Sequence, residues 1–478
     1  MASERETVYQ AAMAVIRGKV VEDVAVVVGP EGRVKEVLEE EEGKRVTDAS
    51  QRVVDLGEAA LIPGQINIHS HAFQRSMRGR TEYRGDGASG DDFWSWRREM
   101  YAWAHRLSPE QMGVVGRMAF MEMARAGITH VGEFHYLHHR EDGQLYDRPL
   151  EMAYQLVEAA RDVGIRMTMM PVAYETGDIN RPPMESQRRF IAPDLESYLG
   201  WAQELEEAFA GESLVATGVA PHSIRAVSRP WLEAIASEAR ARGWPLHIHA
   251  CEQRKEVERS KEEYGMAPIE AFEEWGVLDK GWTLIHGTHL EERELEILEE
   301  VKPTIGACPT TERNLGDGFL EARKLVSRGV PIALGSDSHT VIDPFEEMRL
   351  VEYHERLRVE ERNVLAAHSP EGEDETASVL WPMGTTNGAR SLKAEEAGLE
   401  VGAKADFVAL DLRHPSLVGT GTQTLLSDVV LSMSAGAVQE VVVDGKSVVA
   451  EGRHRREKGI VDAFRALMER FQRDDERQ

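Results

Sequence analysis

Short apolar runs and longer Glu/Arg/Leu-rich stretches alternate through the middle of the chain. The apolar runs fall at 61–69, 128–136, 166–174, 213–222, 245–252, 281–289, 304–311 and 331–339. Short β-rich runs of this kind are the signal of buried strands. Most intervals between them carry an amphipathic stretch, such as 194–210, 229–242, 254–275 and 318–328. Strand–helix alternation predicts an α/β fold of parallel βαβ units. Eight such repeats suit a (β/α)8 TIM-like barrel, which takes about 250 residues. The alternative is an open doubly wound sheet. No G-x-G-x-x-G opens a helix, so a dinucleotide-binding fold lacks its fingerprint.

The two ends read differently from the middle. Residues 20–37 predict a hairpin, with β-branched runs on either side of Gly29-Pro30-Glu31-Gly32. Residues 405–412 predict a strand, and 438–452 predict two strands joined by Asp444-Gly445, a type I′ turn signal. The expected organisation is a small β-sandwich domain assembled from 1–60 and 399–455, a barrel domain over 61–398, and a helix or tail over 456–478. Residues 74–107 stand out as a long segment after the first barrel strand, with Gly79, Gly85, Gly87 and Gly90 ahead of FWSWRREMYAW. A loop of that length is more often functional than not. Its tryptophans equally suit packing on the barrel or on a second subunit.

Composition narrows the function. A net charge of −27 opposes binding to nucleic acid or to an anionic membrane surface. The hydrophobic content of 42% is that of a globular chain, not a disordered acidic one. Two cysteines, Cys251 and Cys308, exclude a disulfide framework and read as reduced, packed thiols. No signal-peptide pattern or apolar span of membrane length is visible, so the expected location is the cytoplasm.

Ionisable groups gather at the C-terminal ends of the predicted strands, where barrel enzymes build their sites. Strand 1 ends in His69-Ser70-His71, strand 2 in Glu133, His135 and Tyr136, and strand 4 in His222. Strand 5 ends in His249 and Glu252, strand 6 in His286 and His289, and strand 8 in Asp337 and His339. One such histidine is usually a satisfied structural residue. Histidine on most of the strands is hard to reach by chance with 17 in the chain. His69 and His71, spaced i, i+2, share one face of a strand and can reach one metal. His247 and His249 repeat the pattern; His249 is nearer the strand end and is the better ligand. Asp337 adds a carboxylate, and three His plus one Asp with an open position make a catalytic zinc shell. The fourth strand has no Lys to bridge a second cation, which argues for one metal. Zn, Fe and Mn are all compatible with these ligand types.

These residues resemble the amidohydrolase superfamily over nearly the whole chain. Glu252, three residues after His249, marks its mononuclear deaminase branch. The stretches NIHSHAFQRSMRGRTE, DDFWSWRREMY, EFHYLHH, HSIRAV, HIHACEQRKEV, HGTH, TTERNLGDG and GSDSH resemble in particular the formimidoylglutamate deiminase family. The resemblance implies deimination of N-formimino-L-glutamate in histidine degradation, by a homodimer. It implies Arg97 and Arg225 as clamps on the two substrate carboxylates, a task suited to the planar guanidinium fork. Gln74, Tyr136 and His222 look like their polar companions. Arg98, beside Arg97, reads as a solvated neighbour.

The residue chemistry agrees with that implication. A metal-activated water would attack the formimino carbon, Asp337 would take the water proton, His286 would stabilise the tetrahedral centre, and Glu252 would protonate the leaving nitrogen. A nucleobase or adenosine-type deaminase is the competing reading, and it expects a stacking pocket without paired arginines. An amidase releasing formamide shares the same metal shell. A regulator without turnover would be expected to lack Glu252, His286 or Asp337, and all three are present.

Overall fold

The apolar runs of the middle region become parallel strands, buried along most of their length because their side chains face covering layers on both sides. The computed structural model describes residues 5–39, 51–83, 92–368, 375–395 and 397–476. The strands are β1 (Gln65–Ser70), β2 (Ile128–His135), β3 (Arg166–Ala173) and β4 (Val215–Thr217, continued by Ala220–Pro221). They go on as β5 (Leu246–Ala250), β6 (Trp282–His286), β7 (Thr304–Ala307) and β8 (Ile332–Leu334). β1 to β4 form one parallel sheet and β5 to β8 another. Isolated parallel bridges join the sheets at both edges: Val219 to Leu246 and Ser223 to His249 on one side, Ser70 to Asp337 on the other. The second seam carries two backbone bonds, His71 N to Asp337 O at 3.1 Å and Asp337 N to His69 O at 3.0 Å. It therefore draws the end of β1 onto the chain just past β8.

Helices fill the intervals as the amphipathic spacing predicts. Pro109–Arg125 follows β1, with Ser108 as its cap and Gln111 closing a capping box. Glu151–Val163, Leu195–Ala208 and Arg229–Arg242 follow β2, β3 and β4. The stretch 254–275 is two helices, Arg254–Tyr264 and Pro268–Glu274, because Gly265 takes a left-handed cap that ends the first. The run 304–311 is also shorter than expected. β7 stops at Ala307, and Pro309 opens the helix Pro309–Leu315 from its first position.

Both termini contribute to a separate nine-stranded sheet. The N-terminal strands Thr7–Ile16 and Lys19–Val28 pair antiparallel, and the chain returns through Ala59–Pro63. That strand pairs with Phe407–Asp411 from the C-terminal end, which continues to the hairpin Val438–Val443 and Lys446–Ala450. Asp444 and Gly445 both have positive φ, 52° and 70°, as the I′ turn requires. The run 61–69 is thus divided between two sheets, and the expected boundary at 60/61 falls inside a strand. The break is at Gly64, where a Cβ would lie 2.2 Å from the Thr129 hydroxyl. Arg166, at the start of β3, ties the two parts together through ion pairs with Asp406 and Asp444.

The segment after β1 is more ordered than a loop. Residues 72–77 form a 3-10 turn, and Phe93–Ala104 is a helix capped by Asp92. Gly85, Gly87 and Gly90 lie outside the described residues. The C-terminal stretch forms the helix Glu457–Asp475, and Trp103 packs on its Phe471 with ring centroids 5.4 Å apart. Among the described residues no helix is long and apolar enough to cross a membrane.

Candidate active site

The strand ends bring His69, His71, His249 and Asp337 to one point. The donor atoms of the three histidines all lie within 4.8 Å of one another. His249 Nε2 is 3.2 Å from His69 Nε2, and Asp337 Oδ1 is 3.3 Å from His71 Nε2 and 3.6 Å from His69 Nε2. β1 presents both histidines of the H-x-H on one face, and the β1–β8 seam brings up Asp337. Gly335 permits this approach: a Cβ there would sit 2.7 Å from the His69 Cβ and 3.0 Å from Cys308 Sγ. Cys251, His286, Asp337 and His339 have positive φ, a cluster of strained backbone of the kind held at functional sites.

The protonation pattern fits a cation at this point. His71 Nδ1 donates to the Phe134 carbonyl at 2.8 Å, and His249 Nδ1 donates to the His222 carbonyl at 2.9 Å. A carbonyl only accepts, so each imidazole spends its single proton there and turns a lone pair inward. Burial keeps the imidazoles neutral, holding His69 at about 3 and lowering His71 and His249 as well. His71 Nε2 and Asp337 Oδ1 are then acceptors facing each other, and a divalent metal between them turns repulsion into coordination. Three imidazole nitrogens and one carboxylate are a donor set that suits a divalent metal. A second group, His286, Cys308 and Asp337, also has donor atoms within 4.8 Å of one another and shares Asp337 with the first. Burial pushes the Cys308 thiol well above its usual value. His247 faces away, toward the Ser391 carbonyl at 3.1 Å.

Glu252 and His286 adjoin the metal donors. His286 Nε2 is 3.7 Å from Glu252 Oε1 and 3.8 Å from Asp337 Oδ2, while its Nδ1 meets Glu312 Oε1 at 3.3 Å. Glu312 is itself fixed by the Cys308 backbone N–H at 2.9 Å. Burial lifts the Glu252 carboxyl to about 7, against the pull of His286 and Arg225. Burial lowers His286, but Glu252, the bond to Glu312 and the charge of Asp337 more than reverse this, to about 10. A protonated carboxyl at neutral pH beside a metal site can donate a proton to a leaving group.

The same cavity is lined by Gln74, Arg97, Tyr136, His222 and Arg225, all five of the expected substrate contacts. Gln74 Nε2 donates to the Tyr136 hydroxyl at 2.8 Å. Arg97 points inward from the helix Phe93–Ala104, while Arg98 is exposed as expected. Among the described residues no carboxylate pairs with Arg97, whose Nη2 donates to the Tyr174 hydroxyl at 2.8 Å. Arg225 is held by Glu256, Nε to Oε2 at 3.0 Å, with Glu252 at 3.8 Å. Both guanidinium groups lie against the Trp94 ring, Arg97 at 5.5 Å and Arg225 at 5.7 Å from its centroid. Trp96 lines the cavity.

Several residues of this site escape a reading of the sequence. Tyr101 lies four residues after Arg97, so helical spacing alone would have placed it on the same face. Tyr174 ends the third apolar run. Glu256 and Glu312 have no comparable signal, because each acts by pairing with a residue from another element.

The site belongs to a recognisable group. Residues 60–448 match the amidohydrolase family. Formimidoylglutamate deiminase of Pseudomonas aeruginosa is 38% identical over 408 residues, covering 85% of this chain and 88% of that protein. The crystal structure of an amidohydrolase from Brucella melitensis superposes with a TM-score of 0.87 at 33% identity, over 97% of this chain and 99% of the other. An adenosine deaminase from Xanthomonas campestris with bound zinc has the same fold, with a TM-score of 0.80 at 22% identity over 98% of this chain and 99% of the other. With its family match and its strand-end histidines, the chain belongs to the amidohydrolase family and is a hydrolase homologous to formimidoylglutamate deiminase.

Proposed function

We propose that this hydrolase converts N-formimino-L-glutamate and water to N-formyl-L-glutamate and ammonia, as a cytoplasmic step of histidine degradation carried out by a homodimer. The observation that carries the reading is the pair of buried arginines, Arg97 and Arg225, lining the same cavity as the candidate metal ligands. Two guanidinium groups suit a ligand with two carboxylates. A purine has no carboxylate to offer them, which sets the adenosine-type alternative aside.

We read the two parallel arcs and their bridging seams as one closed (β/α)8 ring within 61–398, flanked by the small β domain. His69, His71, His249 and Asp337 would hold one divalent metal, most simply Zn2+, which when bound lowers the pKa of water and makes it a nucleophile near neutral pH. Arg97 and Arg225 hold the substrate's carboxylates, with Gln74, Tyr136 and His222 beside them. Asp337 takes a proton from the attacking water as the new C–O bond forms. His286, oriented by Glu312, stabilises the developing negative charge. Glu252 gives its proton to the formimino nitrogen and the proton taken up by Asp337 follows to the same nitrogen; as the C–N bond breaks and ammonia leaves, the added hydroxyl becomes the formyl carbonyl and its proton returns to Glu252.

The direct test is to incubate the purified, metal-loaded protein separately with N-formimino-L-glutamate and with adenosine. Ammonia and N-formylglutamate are the expected products of the first, with no turnover of the second. Formamide with free glutamate, or deamination of adenosine alone, would overturn the assignment.

A further inference from the structure

Behind the Arg97 clamp lies a hydrogen-bond chain whose protons can be placed. Gln187 is fully buried, and its Oε1 accepts the Met184 backbone N–H at 2.8 Å. That fixes the amide orientation, so its NH2 group faces the Gly177 carbonyl at 3.2 Å, the Tyr174 hydroxyl at 2.9 Å and the Tyr101 hydroxyl at 3.2 Å. The Gly177 carbonyl takes one of the two protons, and the other goes to the nearer hydroxyl, that of Tyr174. A phenol has one proton and two lone pairs. Tyr174 oxygen already accepts from Arg97 and Gln187, which fills both lone pairs. Its own proton must go to a neighbour that can accept, and the Tyr101 oxygen stands 3.2 Å away.

This order leaves the Tyr101 proton without a protein acceptor among the described residues. Its remaining neighbours, Arg97 and Gln187, are donors. Tyr101 lines the cavity, with the Arg97 guanidinium 5.1 Å from its ring centroid and Phe190 packed against it at 5.4 Å. The structure assigns the Tyr101 hydroxyl as a donor to the ligand carboxylate held by Arg97. Tyr174 and Gln187 are positioning residues that set the direction of its proton. The inference rests on the reading of the substrate as a dicarboxylate, and it adds a neutral donor that a bare anion site would not need. A site so built discriminates against a ligand lacking that carboxylate, because the donor is then buried unpaired.

Tyr101→Phe keeps the ring, its packing and the contact with Arg97, and removes only the hydroxyl. Steady-state kinetics would be measured with N-formimino-L-glutamate and with two analogues, N-formimino-4-aminobutyrate without the α-carboxylate and N-formimino-L-norvaline without the γ-carboxylate. The expected result is a KM for the full substrate raised about 10-fold with kcat nearly unchanged. The effect should vanish with one analogue only, the same one whose KM is indifferent to Arg97→Met. An unchanged KM, or an equal loss with both analogues, would overturn the assignment and leave Tyr101 a packing residue. Absence of turnover by the unaltered protein would instead sink the substrate reading. In that case calorimetric titration with glutarate decides: binding about 10-fold weaker in Tyr101→Phe supports the donor role, and equal or absent binding overturns it.

Discussion

At the residue scale, function rests on which groups are paired and which are free. Glu252 is buried and its carboxyl is raised to about 7, so about half of it carries a proton at pH 7 and can act as an acid. Glu252→Gln keeps the shape and removes the proton transfer. It is expected to retain metal by elemental analysis while turnover falls by about 100-fold or more; turnover near that of the unaltered protein would remove Glu252 from the proposed mechanism. The two arginines differ as targets. Removing Arg225 leaves Glu256, which is fully buried, without its cation, and so mixes a stability loss with a binding loss. Arg97 has no carboxylate partner among the described residues. Arg97→Met should therefore raise KM for the dicarboxylate substrate by about 10- to 100-fold, the worth of a charge-assisted bond, with little change in melting temperature. A large drop in Tm with unchanged KM would make Arg97 structural.

At the element scale, the strand ends must approach closely enough for side chains from β1, β5 and the β8 turn to share one centre. Gly335 is a close point of that approach, where a Cβ would lie 2.7 Å from the His69 Cβ. Gly335→Ala would force a methyl into the His69 side chain. The expected outcome is reduced metal occupancy and a loss of about 1–3 kcal/mol in stability, read from denaturant unfolding together with elemental analysis. Full occupancy at unchanged stability would show that the seam has slack. The helix Phe93–Ala104 depends on a different device. Arg189 is buried and has no carboxylate partner among the described residues; it donates to the Ala104, Leu107 and His139 carbonyls and so fastens the clamp-bearing helix to the chain beyond β2. Arginine suits that task because its planar fork serves several acceptors at once. From sequence this segment reads as a loop; the helix and the residue that fastens it, which comes from far along the chain, are seen only in the structure.

At the scale of the whole molecule, a net charge of −27 repels an anionic substrate at long range. For the proposed substrate, attraction has to come from within the cavity, from Arg97, Arg225 and the proposed metal. Salt screens the distant charges more than the buried ones, since the Debye length falls to about 8 Å at physiological ionic strength. Raising ionic strength at low substrate concentration should therefore leave kcat/KM flat or raise it by less than about threefold. A steep fall would mean that long-range steering draws the substrate in.

The sequence by itself determined the strand–helix alternation, the terminal β hairpins and the metal and acid candidates at the strand ends. These are local signals: short apolar and β-branched runs, turn residues, and polar groups where an apolar run stops. His69 and His71 were legible as a pair because two residues apart on a strand is one face. The tertiary structure alone decided that Asp337 meets them, because a backbone seam between β1 and the chain past β8 brings the two ends of the parallel region together. It alone divided the run 61–69 between two sheets, because the close approach of Thr129 leaves no space for a side chain at Gly64. It alone paired Arg225 with Glu256 and ordered the protons from Gln187 to Tyr101, because such pairings are set by burial, where each polar group must find a partner from whatever element lies beside it.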